Sequence, residues 1–204
     1  HAPPHRRAHE RAHRRIVISV SERRGVVNVY VNGRSYQIKP VGEIMSSVNQ
    51  LVATLQTTRT SLDRSLLRLT ALELDDYVTL ADITSIFSSF EIMQQAKIEL
   101  EACIEELGTQ GKLVRMQLEQ LAGSNMDDEY NLMIRDYAAD SSHENAARIR
   151  ERFGNMPARD LTNQARGGSL GYDNLDEDSV LTPLGLRTLS RVSVVRDGVA
   201  EKIV

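Results

Sequence analysis

A mainly α-helical fold, a bundle built on one long helix and preceded by a short antiparallel β meander, is what this 204-residue sequence predicts. Three observations point to it. Between Ile44 and Leu69, apolar residues recur at three- and four-residue spacing, which is the period of a helix face. Residues 16–38 instead hold three runs of β-branched and aromatic residues broken by turn formers, the pattern of paired strands. Aromatics make up only 4% of the chain and Trp is absent, which suits a core packed with Leu, Ile and Val.

The meander comes first. Ile16–Val20 and Val26–Val31 are the first two strands, separated by a turn over residues 21–25, Ser-Glu-Arg-Arg-Gly. Asn32-Gly33 then leads into Arg34–Ile38, and Asn-Gly is a strong hairpin signal because both residues accept positive φ. Pro40 ends the unit. Two or three short strands are marginal alone in water, so the chain is expected to begin partway through a domain.

From about Glu43 the period becomes helical. Ile44, Val48, Leu51, Leu55, Leu62, Leu66 and Leu69 form the stripe, with Thr58 filling its gap. The helix should run roughly 28 residues, about 42 Å, which is long for a globular protein and suits a strut. Thr79 and Asp82 then read as a capping pair, with Val78 placed to staple onto the first turn. The helix they open carries Ile83, Phe87, Phe90, Met93, Leu100 and Ile104, and Gly108 suits its C-terminal cap. A Gly-Thr-Gln-Gly turn leads to a third helix, Leu113–Leu121, and a fourth covers about Asp127–Tyr137 with Tyr130, Leu132, Met133 and Ile134. Short helices are expected over 143–153 and 157–165. Thr182-Pro183 looks like a helix start, with Thr as cap and Pro at the first turn, giving helices over 183–191 and 196–204.

Charge and chemistry exclude more than they assign. Residues 1–15 hold four of the five histidines, five arginines and one glutamate, a head of +4; the whole chain is −3, so the other 189 residues carry −7. That body is no basic nucleic-acid footprint. The single Cys103 rules out an internal disulfide and fits a reducing cytoplasm. No apolar run approaches the roughly 18 residues a membrane helix needs. No Gly-rich phosphate loop, Cys pair or His-Glu-x-x-His motif occurs, so no catalytic or metal residue is assigned. His1, His5, His9 and His13 would share a helix face, but Pro3-Pro4 and the lack of apolar support favour disorder over a metal tract. Cys103 reads as core, His143 as surface, and Asp176-Glu177-Asp178 as a solvated acidic loop. Ser21-Glu22 sits at a strand end, where ligand groups collect; from the residues alone a plain turn is preferred.

Several stretches resemble the DisA family of DNA-integrity scanning diadenylate cyclases: Val-Ile-Ser-Val-Ser-Glu at 17–22, Val-Tyr-Val-Asn-Gly at 29–33 and Leu-Asp-Asp-Tyr-Val-Thr-Leu-Ala-Asp at 74–82. The most specific are Glu-Leu-Gly-Thr-Gln-Gly-Lys-Leu-Val-Arg-Met-Gln-Leu at 106–118 and Ile-Arg-Asp-Tyr at 134–137. Leu-Gly-Tyr at 170–172 and Leu-Thr-Pro-Leu-Gly-Leu-Arg at 181–187 complete the series. The resemblance implies an α/β cyclase domain, a helical linker or spine, and a helix–hairpin–helix DNA-binding domain. The family forms an octamer that condenses two ATP into cyclic di-AMP with Mg or Mn, as a nucleotidyltransferase in DNA-damage signalling. Residues 16–39 would then be the last strands of the cyclase domain, 40–180 the spine, and 181–204 the start of the DNA-binding domain. Of the family's ATP contacts the resemblance leaves Ser21 and Glu22.

Two departures matter. The family's Asp-Gly-Ala motif is missing, and its Thr-Arg-His-Arg-Thr motif, due just before Ile16, is out of pattern. Written in GC-rich codons, Gly-Thr-Arg-His-Arg-Thr-Ala-Glu-Arg-Thr read two bases later gives His-Ala-Pro-Pro-His-Arg-Arg-Ala-His, the residues at 1–9. Residues 1–15 are thus expected to be an ATP motif translated out of frame, with the frame resuming near Ile16.

Three functions remain open. As an enzyme, the chain would need metal-held phosphates and two facing ATP sites; it is expected to be inactive, binding neither ATP nor metal. As a DNA-binding protein it offers only residues 187–200, the entry to a helix–hairpin–helix unit, so contact with branched DNA should be weak or absent. As a helical oligomerisation module it would associate through the helix over 43–71, and this describes the chain best.

Overall fold

The computed structural model describes residues 16–21, 26–31, 34–123, 125–156, 170–172 and 175–191. The head at 1–15, Glu22, the Asn32-Gly33 turn and the helices expected over 157–165 and 196–204 lie outside those residues. The chain divides into two compact units, with the boundary between Ser46 and Ser47.

The first unit is the meander. Strands β1 (Ile16–Ser21), β2 (Val26–Val31) and β3 (Arg34–Ile38) form one antiparallel sheet in sequence order. The register pairs Val17 with Tyr30 and Val29 with Tyr36, as an Asn-Gly hairpin between β2 and β3 requires. Ile16, Val17, Ile18 and Val20 are all more than half exposed. Neighbouring residues on a strand point to opposite faces, so β1 meets solvent on both sides.

Helix α1 (Val41–Leu74) has 34 residues, about 51 Å at 1.5 Å per residue. It extends the expected helix at both ends. Within the second unit its buried line is Val48, Leu55, Leu62, Leu66 and Leu69; Leu51 and Thr58 are half-buried at its edge. Threonines 54, 57, 60 and 70 each donate their hydroxyl to the carbonyl four residues back, which satisfies a polar group that would otherwise compete with the helix. Asp76 stops the helix in the left-handed region at φ 51, and Tyr77 N–H closes back on the Leu72 carbonyl at 2.9 Å.

Two residues of strand come next, β4 (Val78–Thr79), paired antiparallel with β5 (Val180–Leu181). Thr79 also caps α2 (Leu80–Leu107) in a full capping box. Its hydroxyl accepts from Asp82 N–H at 3.3 Å, and its own N–H donates to the Asp82 carboxylate at 3.2 Å. The acidic loop expected at 176–178 is exposed, and its backbone is used. The Glu177 and Ser179 carbonyls accept from Ala81 and Leu80 N–H, two first-turn donors that the helix itself leaves unsatisfied.

Along α2 the buried residues include Ile83, Phe87, Phe90, Met93, Leu100 and Ile104. Cys103 is half-buried, a correction to its reading as core: the buried line runs through Leu100, Ile104 and Leu107 and leaves position 103 on its flank. Gly108 ends α2 at φ 56. A short 3-10 turn to Gly111 continues the chain, and there a Cβ would sit 2.8 Å from the Ile104 carbonyl oxygen. Only glycine lets the chain pass so close to its own helix.

Helix α3 (Lys112–Ala122) buries Val114, Leu118 and Ala122. Helix α4 (Met126–Tyr137) contributes Tyr130, Met133, Ile134 and Tyr137. Helix α5 (His143–Gly154), capped by the Ser142 hydroxyl, contributes Ala146, Ile149 and Phe153. Phe90 stacks on Tyr130 with ring centres 4.7 Å apart, and Phe87 contacts both Tyr130 and Phe153. This aromatic cluster, built from α2, α4 and α5, is the centre of the core. His143 is exposed, as expected.

The last described helix, α6 (Leu186–Ser190), starts at Leu186 with Gly185 as its N-cap, not at Thr182-Pro183. The reason is a long-range acceptor, the Asp136 carboxylate, which takes the Leu186 and Arg187 N–H groups. No helix among the described residues is long and apolar enough to cross a membrane.

Candidate functional site: a buried ionic joint

Three stretches distant in sequence converge where α1, α4 and α6 meet: residues 70–73, 136–137 and 184–191. Arg187 is 2% exposed, one of the few charged residues hidden in the structure. Its Nε donates to Glu73 Oε1 at 3.0 Å, its Nη2 pairs with Glu73 Oε2, and Nη2 also reaches the Thr70 hydroxyl at 3.2 Å. The fork of the guanidinium matches a carboxylate in this two-pronged way, which a lysine cannot reproduce. Tyr137 adds a third donor to Glu73, its hydroxyl lying 2.6 Å from Oε1. Burial and the adjacent Glu73 push the Tyr137 hydroxyl well above its ordinary pKa, so it remains a donor.

Asp136 holds the other side of the same helix start. Its Oδ1 accepts from Leu186 N–H at 2.8 Å and its Oδ2 from Arg187 N–H at 3.1 Å, while its backbone carbonyl accepts from Leu184 N–H at 3.0 Å. A carboxylate in a distant helix thus does for α6 what an N-cap residue normally does. With those donors satisfied from Asp136, the helix starts at Leu186, and Gly185 supplies the left-handed turn at φ 88. Burial pushes the Asp136 carboxyl above the usual range, opposed by the N–H groups of Arg187, Leu186 and Gly185.

Breaking such a pair from one side leaves a buried charge uncompensated, at a cost of about 3–5 kcal/mol. Arg187 Nη1 is buried with no hydrogen-bond partner among the described residues. The chemistry is that of a fastener. Its tyrosine hydroxyl, beside the Glu73 carboxylate, is held protonated.

A cleft of about 620 Å³ opens beside the joint, lined by Arg135, His143, Arg187 and Arg191 but also by Asp128 and Glu129. Its charge is mixed. Arg135 is committed to the Ser141 carbonyl at 2.8 Å and Arg191 to the Thr70 hydroxyl at 3.2 Å.

A second polar cluster lies against the aromatic core. The Tyr130 hydroxyl donates to Glu91 Oε1 at 2.6 Å. Arg150 lies 5.1 Å over the Tyr130 ring and donates to Asp127 at 2.8 Å and Asn131 at 3.2 Å. Burial alone would raise Asp127, but hydrogen bonds from Arg150 and Gln94 and the charge of Lys97 hold its carboxyl below the usual range. Glu91 goes the other way: burial pushes it up, against the Tyr130 hydrogen bond and the Arg150 charge.

The residues singled out from the sequence fare differently. Ser21 ends β1, half-buried and opposite Val26, and Glu22 lies outside the described residues. Among the described residues no group of three or more His, Cys, Asp or Glu side chains could hold a metal ion. The joint itself escapes residue-by-residue reading. Its signal is the resemblance: Asp136 and Tyr137 belong to the stretch 134–137, and Arg187 closes the stretch 181–187.

Comparison with known proteins gives a consistent result. The family described as the DisA bacterial checkpoint controller linker region matches residues 38–178. The DNA integrity scanning protein DisA of Carboxydothermus hydrogenoformans is 34% identical over 192 residues, covering 93% of this chain and 54% of the relative. The protein of the same name from Bacillus subtilis is 31% identical over 191 residues, 93% of this chain and 52% of the relative. That from Parafrankia is 34% identical over 194 residues, 92% and 53%. The chain spans about half the length of these curated relatives.

Proposed function

The chain belongs to the DisA family, and from that premise we propose that it is the helical spine of a DNA-scanning diadenylate cyclase. In the whole protein, cyclase domains would condense two ATP into cyclic di-AMP with Mg or Mn, in a cytoplasmic homo-oligomer that responds to branched DNA. The part played by this chain is mechanical. It spaces and couples, and does not itself turn over ATP.

The buried joint carries the reading. A flexible tether between domains needs only polar, solvated residues. This chain instead fixes its 184–191 segment with a two-pronged buried ion pair and three hydrogen bonds to Asp136. Because that segment is bolted to the ends of α1 and α4, a displacement of a DNA-binding domain attached to it would be felt along α1. Coupling of this kind needs a rigid element that both ends bias.

Incubating the chain with ATP and Mn tests the division of labour. No cyclic di-AMP is expected by chromatography, and its appearance would move the chain from spacer to enzyme. A DNA-binding reading has one supporting observation, the arginines and histidine around the cleft beside α6. Asp128 and Glu129 in the same cleft and the −7 of the body oppose a phosphate backbone. Gel shifts with branched DNA should therefore show no nanomolar, salt-sensitive complex.

A further inference from the structure

We propose that the half-open pocket lined by α1, α2 and the end of α5 is a binding site for a small organic cation, an aromatic ring bearing an ammonium or amidinium group, with Glu91 as its counter-ion. The site is independent of the spine role and of the joint.

The pocket has a volume of about 240 Å³. A cavity of about 150 Å³ is enough to hold benzene, so this one takes a single ring with a short charged arm. Leu51, Ile92, Ala96 and Met156 give it apolar walls. Its two charged lining residues are Glu91 and Glu99, and no Lys, Arg or His lines it among the described residues.

Glu91 makes this more than a greasy dent. It is 8% exposed, and its two oxygens are treated differently. Oε1 accepts from the Tyr130 hydroxyl at 2.6 Å. Oε2 lies on the side of Gly154, which also lines the pocket; a Cβ on Gly154 would be 3.9 Å from it. No donor reaches Oε2 among the described residues. A ligand cation beside this oxygen would supply both a hydrogen bond and the opposite charge. The carboxylate is also held still, because Tyr130 is stacked on Phe90 and covered by Arg150. A pre-positioned acceptor at the end of an apolar slot is how such pockets select for charge.

The test is a titration of the full chain, isotope-labelled, with benzamidine and with its neutral analogue benzamide, monitored by NMR. The expected result is saturable binding with at least a tenfold preference for the cation, and shifts centred on Ile92, Ala96 and Gly154. Glu91→Gln keeps an acceptor for Tyr130 and should abolish the preference. Thr54→Phe, on the half-exposed rim, should block both compounds while leaving the amide signals of Leu186 and Arg187 unmoved, so a lost site is not confused with a lost fold. Equal affinity for the two compounds, an undiminished preference in Glu91→Gln, or shifts centred elsewhere would each overturn the assignment.

Discussion

The β1–β3 sheet and the ionic joint treat water in opposite ways. In the sheet, Ile16, Ile18 and Val20 stand 64–66% exposed, apolar groups in solvent with register but no cover. In the joint, the charged groups of Glu73, Asp136 and Arg187 are nearly dry. Hydrophobicity alone would put each set in the other's place. Burial in this chain is decided by which partners exist: the joint has donors for its carboxylates, whereas the described sheet has no second layer to pack against. A sheet of this size contributes little stability of its own, so the helical unit should set the stability of the molecule.

Substitutions can break this contrast, beginning with the largest effect. Arg187→Met should cost about 3–5 kcal/mol in urea unfolding, because Glu73 is left charged and buried; adding Glu73→Gln should restore a substantial part. A negligible loss would mean that the pair is not dry in solution. Asp136→Asn retains one oxygen for two backbone donors and should cost about 1–3 kcal/mol, with faster exchange of the Leu186 and Arg187 amides.

Glu91 sharpens the contrast through pH. Burial raises its carboxyl in the folded chain, so as pH falls the native state takes up the proton before the unfolded chain does. The contribution of this group to stability is greatest below its ordinary value near 4.5 and is lost as pH rises through the raised one. Glu91→Gln should therefore compare best with the parent chain at about pH 8 and lose that advantage toward about pH 4, read from melting temperatures across the range. A pH-independent difference would contradict it. Thr79→Ala removes one half of the α2 capping box and should cost about 1 kcal/mol. Ile18→Thr, in the exposed sheet, should change stability by less than about 0.5 kcal/mol while reducing aggregation of the strand edges, measured by light scattering.

What is legible in the sequence is local. The strands, their Asn-Gly register and the Thr79–Asp82 box depend on residues within a few positions of one another, and the helical stripe from Val48 to Leu69 repeats a single period. The joint is not legible residue by residue, because Glu73 and Arg187 are 114 positions apart and no periodicity links an acid to an arginine at that range. The same distance hides the β4–β5 pairing of Val78 with Leu181. Thr182-Pro183 misleads for a related reason: its local signal for a helix start is sound, but Asp136 offers Leu186 and Arg187 a better acceptor and moves the start to Leu186. Of the residues the resemblance marks as nucleotide contacts, Ser21 ends β1 and Glu22 lies outside the described residues. The stretches that carry the resemblance are the better guide, since two of them meet in the joint.

Amide hydrogen exchange on the full chain tests the central claim most directly. If the joint bolts the 184–191 segment to the helical unit, the Leu186 and Arg187 amides should exchange as slowly as those of Phe87 and Phe90 in α2, and the β1–β3 amides far faster. Leu186 and Arg187 exchanging at the rate of the sheet would show that the segment is loosely held and that no mechanical coupling passes through it.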